Sequence, residues 1–411
     1  MVTDPRNYVR LTMHTEAPGP HGRRRRSRAA AFDAMVIEPV MSLTDSLASV
    51  PVVGKRLASV GALAAALMWT AGRVPGIFSA AYAGIAARRR GIDDHQRALP
   101  VAELCAETLS SVGADSDIEW PAPGERAPVL NYRRDRRRYL YRDSVRYGPA
   151  PEQTLDVWRR PDLAGPRAPM MVFVPGGGWI AGRRTLQGNA LLAHLVEHGW
   201  VCLAIDYRVS PRHPWPTHIN DVKTAIAWAR ANAISIGGDP DFVAVAGCSA
   251  GGHLAALAGL AADDPSLHAE LGPEGDTAVN AVVGIYGRYD WEDRSTAERQ
   301  RLMYFLEKVV MKTDYDDNCE LFRAASPIAQ VGPHAPPFLV VHGTGDTIIP
   351  VAQAVEFVER LRATSQAQVG YLELPGAQHG FDVIDRERTP AVVTAIEVFL
   401  SDVYRAHLAG T

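Results

Sequence analysis

Residues 242–252 run Phe242-Val243-Ala244-Val245-Ala246-Gly247-Cys248-Ser249-Ala250-Gly251-Gly252. The first five are apolar and uncharged, which predicts a strand buried on both faces. The small residues that follow predict a sharp turn into a helix over Ala250–Ala261. In a G-x-S-x-G turn the serine takes a strained backbone, and glycine two positions to either side lets the chains pass closely. The turn lifts the Ser249 hydroxyl above the sheet. It also aims the first helical N–H groups, that of Ala250 foremost, at an oxyanion forming beside it. The pattern alone arises by chance; strand before and helix after give it force.

Outward from this turn, strands are predicted at Thr154–Trp158, Met170–Val174, Trp200–Ile205, Val279–Ile285, Phe338–Val341 and Val369–Leu374. Helical stretches lie at Gly188–His198, Asn220–Asn232, Val351–Ala363 and Thr389–His407. The runs around Met170, Val201, Val243 and Leu339 are nearly continuously apolar, as in a parallel sheet covered on both sides. Strand alternating with helix predicts an α/β fold, a mostly parallel central sheet flanked by helices. The interval 287–325 breaks the alternation, with Trp291, Met303, Tyr304, Phe305, Met311 and Phe322 set among charges. It reads as a helical cap inserted between two strands, whose apolar groups would suit an acyl chain, or as a peripheral helix pair.

A neutral hydroxyl is a poor nucleophile and needs a base. Downstream, Val340-Val341-His342-Gly343-Thr344-Gly345-Asp346 places a carboxylate just past a strand. Gln378-His379-Gly380-Phe381 then places an imidazole in the loop after the last strand. The order Ser249, Asp346, His379 suits an elbow-type serine hydrolase, and parallel strands would bring all three to one sheet edge. His342 is a rival base, and Asp382 and Asp385 are rival acids. A third loop, Val174-Pro175-Gly176-Gly177-Gly178-Trp179, also follows a strand. Three glycines in a row suit close backbone approach, and the N–H groups of Gly177 and Gly178 can complete an oxyanion hole with Ala250. No Gly-Lys-Ser/Thr follows and the Rossmann spacing is missing, so no nucleotide is expected.

The composition of the 411 residues is ordinary for a soluble globular chain, and a net charge of −3 gives no reason to expect a nucleic-acid partner. Cys105, Cys202, Cys248 and Cys319 lack C-x-x-C spacing, which argues against a zinc site or a disulfide framework. No ligand cluster suggests a metal. The N-terminus carries Arg23 to Arg26 and Arg28, but Asp33 and Glu38 interrupt the apolar stretch that a signal peptide needs. Residues 1–40 read as a basic tail and 41–135 as an Ala/Gly-rich helical region. Within it, Leu57–Gly72 is uncharged, Arg73 follows, and a second apolar stretch runs to Ala87, with Lys55-Arg56 before and Arg88-Arg89-Arg90 after. Each half is short for a membrane span; the pair suits either helices packed on the enzyme or peripheral contact with anionic lipid. The place of the chain is thus cytoplasmic or at the cell envelope. Residues 136–411 form the catalytic domain.

With these motifs in hand, the chain resembles the hormone-sensitive-lipase-like branch of the α/β-hydrolases, particularly actinobacterial Lip-type carboxylesterases. The resemblance rests on Asp206-Tyr207-Arg208-Val209-Ser210-Pro211 with Pro214, Pro216 and Asp221, on Gly238-Asp239-Pro240-Asp241, on Gly247–Gly252 and on His379-Gly380-Phe381. It covers the chain from about Tyr141 onward. It implies an α/β-hydrolase fold and a serine hydrolase acting on small-molecule carboxylic esters of short to medium acyl length, without a cofactor. Ser249 would be the nucleophile, His379 the base, Asp346 its orienting acid, and Gly177, Gly178 and Ala250 the oxyanion donors. Two positions depart from the family pattern: Pro175 stands where a histidine usually precedes the glycines, and Cys248 stands where the elbow commonly has aspartate. Gly177-Gly178-Trp179 is also partly similar to the loop of arylformamidases, an alternative activity, and a silent binding protein on the same scaffold is the third reading.

Overall fold

The computed structural model describes residues 94–410, except 116, 164–166, 186, 263, 268–270 and 272–274; for 94–100 it describes the helical backbone alone. The expectations for the basic tail and for residues 57–87 lie outside the described residues.

Eight strands form one sheet: β1 (Leu140–Arg146), β2 (Thr154–Trp158), β3 (Ala168–Val174), β4 (Val201–Ile205), β5 (Gly238–Cys248), β6 (Ala281–Ile285), β7 (Phe338–Gly343) and β8 (Val369–Leu374). The helices are α1 (Asp94–Ser111), α2 (Tyr132–Tyr139), α3 (Asn189–Glu197), α4 (Thr217–Ile236), α5 (Ala250–Leu260), α6 (Ala297–Phe305), α7 (Cys319–Ala324), α8 (Ala352–Thr364), α9 (Phe381–Ile384) and α10 (Thr389–Leu408). The spatial order is β1-β2-β4-β3-β5-β6-β7-β8. β1 pairs antiparallel with β2 and β2 with β4, and the other pairs are parallel. From β3 the chain steps to β4 on one side, then returns to lay β5 on the other. That reversal opens a crevice at the C-terminal ends of β3 and β5, the usual ligand position in an open α/β sheet. The glycine loop and the Ser249 elbow leave the sheet there.

Burial explains which strands were legible. β4 and β6 are buried along their whole length, and β3 nearly so. β1 was not foreseen: its sequence Leu-Tyr-Arg-Asp-Ser-Val-Arg is largely exposed at the sheet edge, where charges discourage further pairing. α1 falls in the region expected to precede the catalytic domain, yet it packs on the sheet body. Val101, Cys105 and Leu109 join the core shared by β7, β8 and α10, and the Thr108 hydroxyl donates to Tyr371 O at 3.2 Å.

The 287–325 interval is helical in part: α6 runs into a π-helical turn at Leu306–Met311, and α7 follows. Its large apolar side chains are committed to packing, since Trp291, Met303, Phe305, Met311 and Phe322 are all buried. The segment is fastened to the loop after β4, where Trp215 N–H donates to Val310 O at 2.9 Å. No helix among the described residues is long and apolar enough to cross a membrane.

Candidate active site

Ser249 sits at φ 57°, ψ −120° between β5 and α5, a backbone strain that survives only where neighbours over-determine it. Its N–H donates to Ile285 O at 2.9 Å and its carbonyl accepts from His253 N at 3.1 Å, which lock it from both sides. A Cβ at Gly251 would lie 2.0 Å from Val174 O, so the turn can fit against β3 only with glycine there. α5 is apolar on every side because it is enclosed on every side, with Ala250–Ala258 buried. Its C-terminal carbonyls receive the buried Lys223 ammonium, which bonds Ala261 O and, at 3.1 Å, Ala262 O. The cation complements the negative end of the helix dipole, while the positive end points at Ser249.

Three of the predicted side chains meet. His379 Nε2 lies 2.9 Å from Ser249 Oγ, and His379 Nδ1 lies 2.7 Å from Asp346 Oδ2. Asp346 is almost wholly buried. Its Oδ1 accepts the N–H groups of Ile348 at 2.8 Å and Ile349 at 2.9 Å. Burial alone would raise this carboxyl, but the charge and hydrogen bonds of His379 and His342 outweigh it and hold it far below the usual range. The carboxylate therefore stays ionised, accepts Nδ1–H, and turns the lone pair of Nε2 toward the serine hydroxyl.

The rival residues do other work. His342 is buried behind Asp346, with Nε2 2.9 Å from Ile349 O and 3.3 Å from Asp346 Oδ2. Asp385 accepts from Glu387 N and Arg388 N and pairs with the Arg388 guanidinium at 2.6 Å. Asp382 is buried under the site, where it accepts the Tyr286 hydroxyl and, at 3.2 Å, Gly188 N–H. Desolvation raises its carboxyl above the ordinary value. Tyr286 in turn lays its ring against His379, 4.6 Å between centroids, so Asp382 supports the imidazole from behind. Cys248 is fully buried with Sγ 3.8 Å from Asp382, and burial pushes its thiol well up, which makes it an inert filler beside the serine.

The glycine loop abuts the elbow: a Cβ on Gly176 would stand 2.9 Å from Ser249 Cβ. Among the described residues no backbone partner takes the N–H of Gly177 or Gly178. The loop is held without the histidine that Pro175 replaces. Gly176 N–H donates to Gln187 Oε1 at 2.6 Å, and the Tyr207 hydroxyl donates to Pro175 O at 3.0 Å. Trp179 Nε1–H donates to His253 Nδ1 at 3.2 Å, while Ser210 N–H donates to Trp179 O at 2.8 Å. The indole on which the formamidase likeness rests is thus turned into the core, edge-on to Trp291. Gln187, Tyr286 and His253 escaped the sequence reading because no motif marks them; their partners lie far along the chain.

The sheet order, elbow and loops make this the α/β-hydrolase fold. The family profile described as BD-FAE matches residues 155–361. The chain is 53% identical to Esterase LipC of Mycobacterium tuberculosis, over 89% of this chain and 91% of that protein. It is 41% identical to the same organism's probable carboxylic ester hydrolase LipM, over 75% of this chain and 74% of that one. The structure of a thermophilic esterase, Est2, from Thermogutta terrifontis superposes with a TM-score of 0.52 at 25% identity, covering 65% of this chain and 92% of that one. A carbohydrate esterase from gut microbiota gives 0.56 at 24% identity, over 65% of this chain and 97% of that one, a likeness of fold. The chain belongs to the hormone-sensitive-lipase-like carboxylesterases of the α/β-hydrolase superfamily, and it is an ester hydrolase.

Proposed function

We propose that the protein cleaves small-molecule carboxylic esters of short to medium acyl length through an acyl-enzyme on Ser249. Ser249 Oγ attacks the carbonyl carbon as its proton passes to His379 Nε2. The oxyanion is received by the N–H groups of Gly177, Gly178 and Ala250, and the Asp346 carboxylate steadies the imidazolium. His379 then returns the proton to the departing alkoxide. A water deprotonated by His379 attacks the acyl carbon, His379 passes that proton to Ser249 Oγ as the Oγ–C bond breaks, and the acid leaves.

The observation that carries this reading is the unbroken relay of 2.9 and 2.7 Å behind a strained serine. The acyl-length preference rests on the family resemblance and on the similar Est2 of Thermogutta terrifontis, whose structure is described with propionate bound. Hydrolysis of p-nitrophenyl esters from acetate to palmitate, by wild type and Ser249→Ala in parallel, tests both parts. An optimum at short or medium length, with the variant at background, supports them; a preference for the longest chains rejects the acyl-length reading. For residues 57–87 the choice stands between helices packed on the enzyme and peripheral contact with anionic lipid. Co-sedimentation of the full chain with phosphatidylglycerol vesicles separates the two.

A further inference from the structure

Away from this site, two helices bring three metal-binding side chains together. His194 and His198 stand one turn apart at the end of α3 and Glu397 comes from α10, with one ligand atom of each within 4.8 Å of the others. The helices lie side by side there: Leu191 of α3 and Val392, Val393 and Ile396 of α10 line one small cavity. His198 Nδ1 is 2.8 Å from His194 O. With Nδ1–H donating to that carbonyl, Nε2 keeps its lone pair for a ligand. His194 Nε2 is shielded from solvent and has no hydrogen-bond partner among the described residues, a costly state for an imidazole nitrogen. Glu397 Oε1 accepts the Ser401 hydroxyl at 2.6 Å, which orients the carboxylate.

We propose that His194, His198 and Glu397 bind a divalent transition-metal ion, zinc foremost, that clamps α3 to α10. Two imidazoles and one carboxylate are the donor set of zinc and its first-row neighbours, whereas magnesium and calcium require oxygen ligands throughout. The stretch His194-Leu195-Val196-Glu197-His198 also sets a glutamate between two histidines, as catalytic zinc helices do. Here Glu197 takes the Tyr139 hydroxyl and sits 3.4 Å from the Arg138 guanidinium. With that glutamate engaged elsewhere, the site is a clamp and not a second hydrolytic centre. Its place gives the clamp a use: α3 follows Gln187, which holds the glycine loop, and α10 follows the loop of His379. Spacing alone had suggested no ligand cluster, because Glu397 reaches the histidines only through the packing of α10.

The test is equilibrium dialysis of the chelator-stripped full chain against Zn2+, with Co2+ as a spectroscopic stand-in. Wild type and Ser249→Ala should bind alike, and cobalt should develop the visible bands of a low-coordinate nitrogen and oxygen site. His198→Gln and Glu397→Gln should weaken zinc binding at least about tenfold, since losing even an outer partner of a ligand costs about 10- to 100-fold. Both should lose the cobalt bands while keeping the wild-type circular dichroism, and a given zinc concentration should raise the melting temperature of wild type and Ser249→Ala more than that of either ligand variant. His198 is exposed, so its replacement leaves the fold intact. Zinc binding equal to wild type in His198→Gln and Glu397→Gln, or no saturable binding by wild type, overturns the proposal.

Discussion

Replacing Asp346 by asparagine changes one atom of the relay and leaves its shape. Oδ1 must go on accepting the N–H groups of Ile348 and Ile349, so the amide oxygen of the variant takes that place. The amide NH2 then faces His379 Nδ1, 2.7 Å away in the wild type. Nδ1 can meet a donor only as an acceptor, which moves the ring proton to Nε2, against Ser249 Oγ. A proton there leaves the serine without a base. The same exchange in another serine triad of intact geometry costs about ten-thousandfold in kcat, about 5.5 kcal/mol of barrier. The assay is p-nitrophenyl butyrate hydrolysis, with KM near the wild-type value and circular dichroism unchanged. A loss of less than about tenfold would refute the reasoning, because it would mean that Asp346 does not set the tautomer of His379.

Two further expectations follow from the loop and its supports. Gln187→Met removes the acceptor for Gly176 N–H and frees the glycine loop; a buried donor without a partner costs about 1–3 kcal/mol, so kcat/KM should fall about 10- to 100-fold in ester kinetics. Burial pushes His253 down to about 3 and His218 to about 4, below the ordinary 6.5. Folded, they stay neutral where the unfolded chain is protonated, so their contribution to stability is whole above about pH 6.5 and is lost as pH falls toward 4. At pH 5 each should contribute about 2 kcal/mol less than at pH 7.5. Urea unfolding at the two pH values checks this, and His253→Leu should lessen the pH sensitivity by about that amount.

What the sequence disclosed was what physics makes local. β3, β4, β6 and the central part of β5 show as uninterrupted apolar runs because both faces are covered. The elbow shows because its turn admits only small residues at fixed spacing around Ser249. Asp346 and His379 were legible from their place after strands, and β2 and β8 match the predicted bounds residue for residue. β1 was hidden because an exposed edge strand carries the charges of a loop. α1 was read only as part of the helical region 41–135, since an apolar face does not say which surface it covers. The partners that fix the site were least legible of all. Gln187 reaches back to Gly176, Asp382 reaches Tyr286 and Gly188, and Trp179 ends on His253; each contact exists only after a crossover has brought distant segments together. For the same reason the three roles first open to Asp382, Asp385 and His342 could be assigned only from distances.

The nucleophile itself offers the most direct test. The full-length protein is treated with a fluorophosphonate, digested, and mapped by tandem mass spectrometry, with Ser249→Ala alongside. The account predicts a single adduct on Ser249, loss of esterase activity in step with labelling, and no adduct in the variant. An adduct on another serine, or an unlabelled enzyme that still hydrolyses esters, would contradict it.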